Sequence, residues 1–158
     1  MKKLASYFLL FVFCFSSDGR AQEAPKLFDA IEREFRQKES RWKIERLDVK
    51  GEAIQKLDIV FRSGVGQAAV EVEVWDSVKN ARDVFAGRAV ASASASKRRI
   101  KRALPGFGDE GHIWVHPHST AWPSINFRKG SVNVSVFAPN VATAKSFARR
   151  VLELIPER

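Results

Sequence analysis

Cysteine is almost missing from this chain, and the familiar catalytic motifs are missing altogether. The 158 residues include one cysteine, Cys14, so neither an intrachain disulfide nor a thiolate metal cluster can form. The sequence has no G-x-S-x-G turn, no HExxH helix and no phosphate-binding loop. The Gly64 to Gly66 segment lies between two predicted strands, which is the wrong context for a dinucleotide site. An enzyme is therefore the less favoured class, and no cofactor is predicted.

The first residues have the order of a secretory signal. Two lysines precede a mostly apolar run over residues 4–15, which is too short for a stable transmembrane helix. Gly19 and Ala21 are small residues that suit cleavage after Ala21. We therefore predict a secretory signal peptide over residues 1–21 and a single domain over residues 22–158.

Lipid anchoring is not predicted, although Cys14 lies inside this signal. Lipid attachment needs small residues before the cysteine, and Phe11, Val12 and Phe13 are too bulky. The protein is expected to be exported, to the periplasm or beyond, with no transmembrane anchor after cleavage. The remaining chain of about 137 residues has no cysteine and must be stabilised by its core, for which it is long enough.

Acidic residues are the minority among the charged side chains. The chain has 27 Lys and Arg against 18 Asp and Glu, a net charge of +9, and removal of residues 1–21 leaves 24 against 17. A basic surplus favours anionic partners such as lipid head groups, acidic polymers or acidic proteins. Nucleic acid is not expected, because the chain is predicted to be exported.

Hydrophobic periodicity divides the rest of the chain into helices and strands. Apolar residues at helical spacing predict a helix over about residues 25–39. Alternating apolar and polar residues predict strands over residues 42–49, 54–62 and 68–75. A capped helix is then predicted from Val78 to about Ala95.

The second half of the chain repeats this order. Phe-Arg-x-Gly occurs at Phe61 to Gly64 and again at Phe127 to Gly130. In both places a Val-x-Val-x-Val strand follows, and then a capped helix that begins at Val78 or at Val141. We interpret this as two hairpin-plus-helix units, which arose either by an old duplication or by convergence on one local structure.

The fold class that these patterns predict is α+β with a mostly antiparallel sheet, because alternating strands have one buried face. The sheet is built from the two hairpin-plus-helix units, with helices packed on one face and an additional N-terminal helix. The other face should be open and polar, and it should carry Asp58, Arg62, Glu71, Glu73, Trp75, Asn126, Arg128, Asn133, Ser135 and Phe137.

Two aromatic residues of that open face, Trp75 and Phe137, occupy equivalent positions in the two units. Aromatic side chains on a polar sheet face often mark a contact surface, so we predict binding there, with Arg62 and Arg128 of the same face. The alternative is that a loop, the first helix or a second copy of the chain covers the two rings.

A basic segment follows a low-complexity run of alanine and serine over residues 91–96. Its charged side chains can dock on anionic lipid head groups or on an acidic protein. They are Lys97, Arg98, Arg99, Lys101 and Arg102. The alternative is a solvated helix end, because basic residues complement the dipole at a helix C-terminus.

All three histidines of the chain lie within seven residues of one another. In an extended chain His116 and His118 point the same way and have the spacing of a zinc-binding pair. His112 would lie about 13 Å from His118, Pro117 makes the local geometry irregular, and no other histidine or cysteine would complete a site. No metal site is therefore predicted, and His116 and His118 are the pair to test.

Asp109 and Glu110 precede the histidines in the stretch PGFGDEG, residues 105–111. Adjacent strand residues point apart, so these two do not form a converging carboxylate pair. We favour a structural turn in which the carboxylates accept from backbone donors or pair with Arg98 to Arg102. The enzyme alternative is a metal-dependent or acid/base hydrolase centred on Asp109, Glu110, His112, His116 and His118.

The segment from residue 104 to residue 155 resembles the C-terminal half of small exported bacterial proteins. Three stretches carry the resemblance: LPGFGDEG, FRKGSVNVSV and RRVLELIP. Many of those proteins have a Gly-x-Gly-Asp-Glu turn, and some have a Mog1/PsbP-like sandwich of sheet and helices. The resemblance implies a non-enzymatic envelope or accessory protein. Many of those proteins are lipoproteins, and the missing lipid-attachment site favours a soluble product here.

The resemblance, the charge and the predicted export together predict an exported, non-enzymatic accessory or binding domain of the bacterial cell envelope. It is expected to contact a protein or an anionic partner. The contact would use the open sheet face and the basic segment.

Overall fold

A computed structural model of the protein describes residues 18–51, 54–64, 66–95, 100–115 and 122–157. Most of the predicted signal peptide, three of the basic residues (97–99) and two of the histidines (116 and 118) lie outside these ranges. The elements in chain order are α1 (Asp18–Lys38), β1 (Lys43–Lys50), β2 (Ile54–Ser63), β3 (Gly66–Trp75), α2 (Val78–Ala95), β4 (Ile100–Ala103), β5 (Glu110–Val115), β6 (Ser124–Lys129), β7 (Val132–Phe137) and α3 (Val141–Leu154).

The seven strands form one sheet in the order β1-β2-β3-β7-β6-β5-β4, and every neighbouring pair is antiparallel. The two hairpins, β2–β3 and β6–β7, meet in the middle, where Val72 of β3 lies opposite Val134 of β7. The described residues also form three helices, one of them near the N-terminus, so the predicted α+β class with a mostly antiparallel sheet is confirmed.

The main core lies between one face of the sheet and the helices α1 and α3. Alternate strand residues such as Phe61, Val72 and Val134 are at most 1% exposed on this face, as their sequence alternation predicted. At its centre, the Phe35 ring of α1 lies 4.9 Å from the rings of Phe61 and Phe147, which belongs to α3. Such edge and tilted ring contacts add to the free energy of burial and fix how the helices sit on the sheet.

The position of α2 corrects the prediction that the helices share one face. Three contacts bind α2 to the opposite face. Asn133 Nδ2 donates to the backbone oxygen of Ala81 at 3.0 Å, Arg88 donates to both carboxylate oxygens of Glu73 at 2.7 Å, and the Phe85 ring lies 5.2 Å from His112. Helices α1 and α3 pack against each other over the apolar face, and α2 covers the middle of the polar one.

Candidate binding sites

The turn between β4 and β5 depends on glycine and is anchored in the core. Gly106 and Gly108 have φ angles of 79° and 64°, in the left-handed region that glycine adopts most readily. A Cβ atom on Gly108 would lie 2.3 Å from the backbone oxygen of Arg128. Between the two glycines, Phe107 is 3% exposed and packs into the core.

Asp109 and Glu110 are both bound to one buried arginine. The Arg128 side chain of β6, 5% exposed, donates to Asp109 at 2.8 Å, to Glu110 at 2.9 Å and to the backbone oxygen of Gly130 at 2.8 Å. Asp109 also accepts from the backbone nitrogen of Gly130 at 2.9 Å. Sequence reasoning considered Arg98 to Arg102 as partners, whereas the structure provides Arg128. These contacts leave little of Arg128 for a ligand to touch.

His112 is buried beneath α2. It is 5% exposed, and its ring lies 5.2 Å from Phe85 and 5.7 Å from Trp114. Burial, together with the nearby Lys101 ammonium, lowers the pKa of His112 from 6.5 to about 4, against the opposing effect of Glu110. The imidazole is therefore neutral at physiological pH and is enclosed by aromatic rings.

The predicted zinc-binding pair, His116 and His118, lies outside the described residues. Within the ranges that the structure describes, no group of three or more His, Cys, Asp or Glu side chains could hold a metal ion. The same ranges contain no helix that is long and apolar enough to cross a membrane.

The strand register puts Trp75 and Phe137 on the same face, as predicted, but far apart. Phe137 lies opposite Ala69 on β3, and Trp75 is six residues further along that strand, about 20 Å away. Both side chains are half-buried. Between Trp75 and Phe137 lie Glu73 and Asn133, which are opposite each other in the strand register and are covered by α2. The two rings therefore do not form one site.

The other predicted binding residues that the structure describes are exposed cations. Arg62 is 49% exposed, with its Nε 3.4 Å from a carboxylate oxygen of Glu45. Lys101 and Arg102 lie exposed on β4, at one edge of the sheet, where the Lys101 ammonium is 5.9 Å from the centre of the Trp114 ring. The remaining three, Lys97, Arg98 and Arg99, lie outside the described residues.

A cavity of about 700 Å³ lies between the first half of α1 and the end of α3, on the apolar side of the sheet. Its floor comes from the end of β3, the start of β7 and the turn between the strands β6 and β7. Apolar side chains make most of its wall, and they include Leu27, Ala30, Val74, Val132, Leu154 and Ile155.

Charged side chains of both signs surround this cavity. Lys26 and Lys129 contribute positive charge, and Glu23, Asp109 and Glu157 contribute negative charge. The Lys129 ammonium donates to the backbone oxygen of Ile155 at 2.7 Å, which ties the β6–β7 turn to the end of α3. Asp109 is already bound to Arg128, so this ion pair holds one wall of the cavity in place.

Sequence reasoning missed this cavity because its lining comes from five separate parts of the chain. These parts are adjacent only after the sheet has formed and α1 and α3 have docked on it: residues 23–30, Val74, Asp109, residues 129–132 and residues 154–157. The helical periodicity of α1 and α3 predicted an apolar stripe on each. That periodicity does not indicate that the apolar stripes of α1 and α3 lie apart at one end of the two helices.

Comparison with known proteins assigns no family to the chain. No family model and no curated protein match it. A solved structure of a GTP binding regulator from Thermotoga maritima matches with a TM-score of 0.46 and 12% identity, over 80% of this chain and 85% of that one. Neither result bears on the resemblance to small exported bacterial proteins, which stays a prediction.

Proposed function

We propose that this chain is an exported, non-enzymatic binding domain of the bacterial cell envelope that takes the acyl chain of a single-chain amphiphile into the cavity between α1 and α3. The observation that carries this proposal is the cavity of about 700 Å³ with mostly apolar walls. Export rests on the signal-like residues 1–21.

The size and lining of the cavity favour a small apolar ligand over a polar one. Small-molecule sites typically enclose about 300–1,000 Å³ and have mainly hydrophobic walls with a few polar groups. Leu27 and Leu154 are only partly buried in the folded chain, so a ligand would remove further apolar surface from water.

The charges around the cavity suit a polar head group at its opening. Lys26 and Lys129 can contact an acidic group, and Glu23 and Glu157 line the same cavity, so the lining itself accepts either an anionic or a zwitterionic head. The exported chain keeps 24 Lys and Arg against 17 Asp and Glu, and this basic surplus favours the anionic form through long-range attraction. The acyl chain is therefore the shared requirement, and the head group modulates affinity.

Titration calorimetry with laurate and with dodecylphosphocholine, each below its micellar concentration, tests the proposal. We expect both to bind, with laurate losing affinity as salt is added because its attraction is electrostatic. Ala30→Trp fills the cavity and should abolish binding of both, whereas Ala86→Trp, on the exposed surface of α2, should leave it unchanged. Absence of heat with the unmodified chain at two well-separated temperatures, or equal binding by Ala30→Trp, would show that the cavity is not the site.

A second candidate is contact with an anionic partner through the basic segment; α2 covers the middle of the sheet face that was predicted to be open. The exposure of Lys101 and Arg102 next to residues 97–99 favours it. Co-sedimentation with anionic vesicles should then fall when both residues are changed to Glu, and it should fall with salt. Equal sedimentation of the double variant would count against this surface.

The hydrolase alternative has weaker support, because Asp109 and Glu110 are bound to Arg128 and His112 is enclosed. Metal analysis of the purified protein tests it directly. Stoichiometric zinc that is lost in a His116→Ala variant would favour the hydrolase over the binding domain.

A further inference from the structure

Strand β1 lies at the edge of the sheet and carries apolar side chains that face solvent. Its eight residues pair with β2 along one side, and the other side ends the sheet. Leu47 is 61% exposed and Val49 is 48% exposed, on the face that α2 leaves uncovered at this end. An edge strand of this length with exposed apolar residues is a template for pairing with another strand.

We propose that two copies of the chain pair edge to edge through β1, antiparallel, with Leu47 of one copy opposite Leu47 of the other. The two sheets then form one continuous sheet around a two-fold axis. Such an isologous contact uses the same surface on both copies and closes without further growth.

Charge complementarity selects this register. In a two-fold antiparallel pair, residues that face each other must lie on the same side of the sheet, because side chains alternate along each strand. Two such registers keep seven of the eight strand residues paired, one centred on Leu47 and one centred on Arg46. The second sets two guanidinium groups against each other. The first sets Arg46 opposite Asp48 of the other copy, twice.

The two sides of the junction then have different contacts. On the uncovered face, Leu47 and Val49 of both copies form a group of four apolar side chains. On the helix face, Arg46 is held in place by hydrogen bonds of 2.7 Å to Asp29 and Glu32 of α1, and its Nε donates to Asp48 of its own strand at 2.8 Å. The contact between copies therefore joins two existing Arg46–Asp48 ion pairs into one group of four alternating charges. Because a single strand edge buries little surface, we expect a weak dimer that dissociates on dilution.

Disulfide trapping in a Cys14→Ser background tests the register. In the proposed pair the two Leu47 Cα atoms lie about 4.5–5.5 Å apart, within the range that a disulfide spans. Leu47→Cys should therefore form a covalent dimer under mild oxidation. Val49→Cys is the matched control: it lies opposite Glu45 of the other copy, so the two introduced thiols would be about 13 Å apart along the strand. It should stay mostly monomeric.

Sedimentation of the chain without added cysteines supplies an independent measurement. The unmodified chain should sediment as a concentration-dependent dimer. Leu47→Lys sets two ammonium groups on the axis but lies opposite Asp58 within its own sheet, so it should be monomeric and still fold. Equal crosslinking of Leu47→Cys and Val49→Cys, a dimer that persists in Leu47→Lys, or a monomer at all concentrations would overturn the proposal.

Discussion

The two hairpin-plus-helix units share a sequence pattern, yet their helices lie on opposite faces of the sheet. Both hairpins turn their valines to the same core, and both helices begin with a capping side chain. Ser77 Oγ accepts from the Asn80 nitrogen at 3.1 Å, and Asn140 Oδ1 accepts from the Thr143 nitrogen at 2.9 Å. The local signals that start each helix are therefore equivalent. They do not decide where the helix packs.

The width of the apolar stripe explains the difference. Helix α3 buries Ala144, Phe147, Ala148 and Val151, which make a broad stripe for a core that it shares with α1. Among the α2 residues whose burial is described, two apolar residues, Ala81 and Phe85, are buried. A helix with so narrow a stripe gains less from an apolar face, and it instead pairs its polar groups with Glu73 and Asn133.

Removing the ring that anchors each helix should show the largest contrast. Phe147→Ala should lower the free energy of unfolding by about 3–5 kcal/mol, because its ring packs against Phe35 and Phe61 in the centre of the core. Phe85→Ala should cost clearly less, since Phe85 is more exposed and meets a polar face. Urea denaturation of both variants measures the difference, and equal losses would contradict it.

The arginine of the repeated Phe-Arg-x-Gly turn should matter in one unit and hardly in the other. Arg128→Met removes a buried cation with four hydrogen-bonded contacts and should cost about 3 kcal/mol. Arg62→Met removes a half-exposed cation and should cost less than about 1 kcal/mol. Thermal melts at matched pH compare them. A large effect of Arg62→Met would remove the contrast.

Acid should weaken the α2 interface through His112. Its pKa in the folded chain, about 4, lies below the ordinary 6.5, so the unfolded chain takes up the proton first as the pH falls. Stability should be unaffected by this group above about pH 6.5 and should decline by about 2–3 kcal/mol between pH 6.5 and 4. His112→Gln should flatten that slope. An unchanged slope in the variant would assign the loss to other groups.

The glycine that ends each turn should give the smallest contrast. Gly130 has a φ of 59°, so Gly130→Ala should cost about 1–2 kcal/mol of left-handed strain even though the space is open. Gly64 also has no atom within 4 Å of an added Cβ, and its φ is not positive. Gly64→Ala should therefore be neutral or slightly stabilising. Melting temperatures of the two single variants decide between these outcomes.

Much of the fold followed from local patterns, and much of the candidate site did not. The alternation in β2, β3 and β7 predicted which residues face the core, since a strand has only two sides. Trp75 and Phe137 were correctly assigned to one face by the same rule. Their separation of about 20 Å was missed, because it depends on β3 pairing with β7 over a six-residue overlap.

By itself, the amino-acid sequence determined most of the helices and strands, the α+β class and the glycine-dependent turn before β5, because these depend on periodicity and on backbone conformations close in the chain. It did not predict β4, which forms an edge strand within the basic segment. Only the tertiary structure decided that Asp109 and Glu110 bind Arg128, that α2 crosses to the polar face, and that a cavity opens between α1 and α3. Each of these joins segments that are distant in sequence. Their contacts depend on which apolar surfaces have already been covered, and that is a property of the assembled chain.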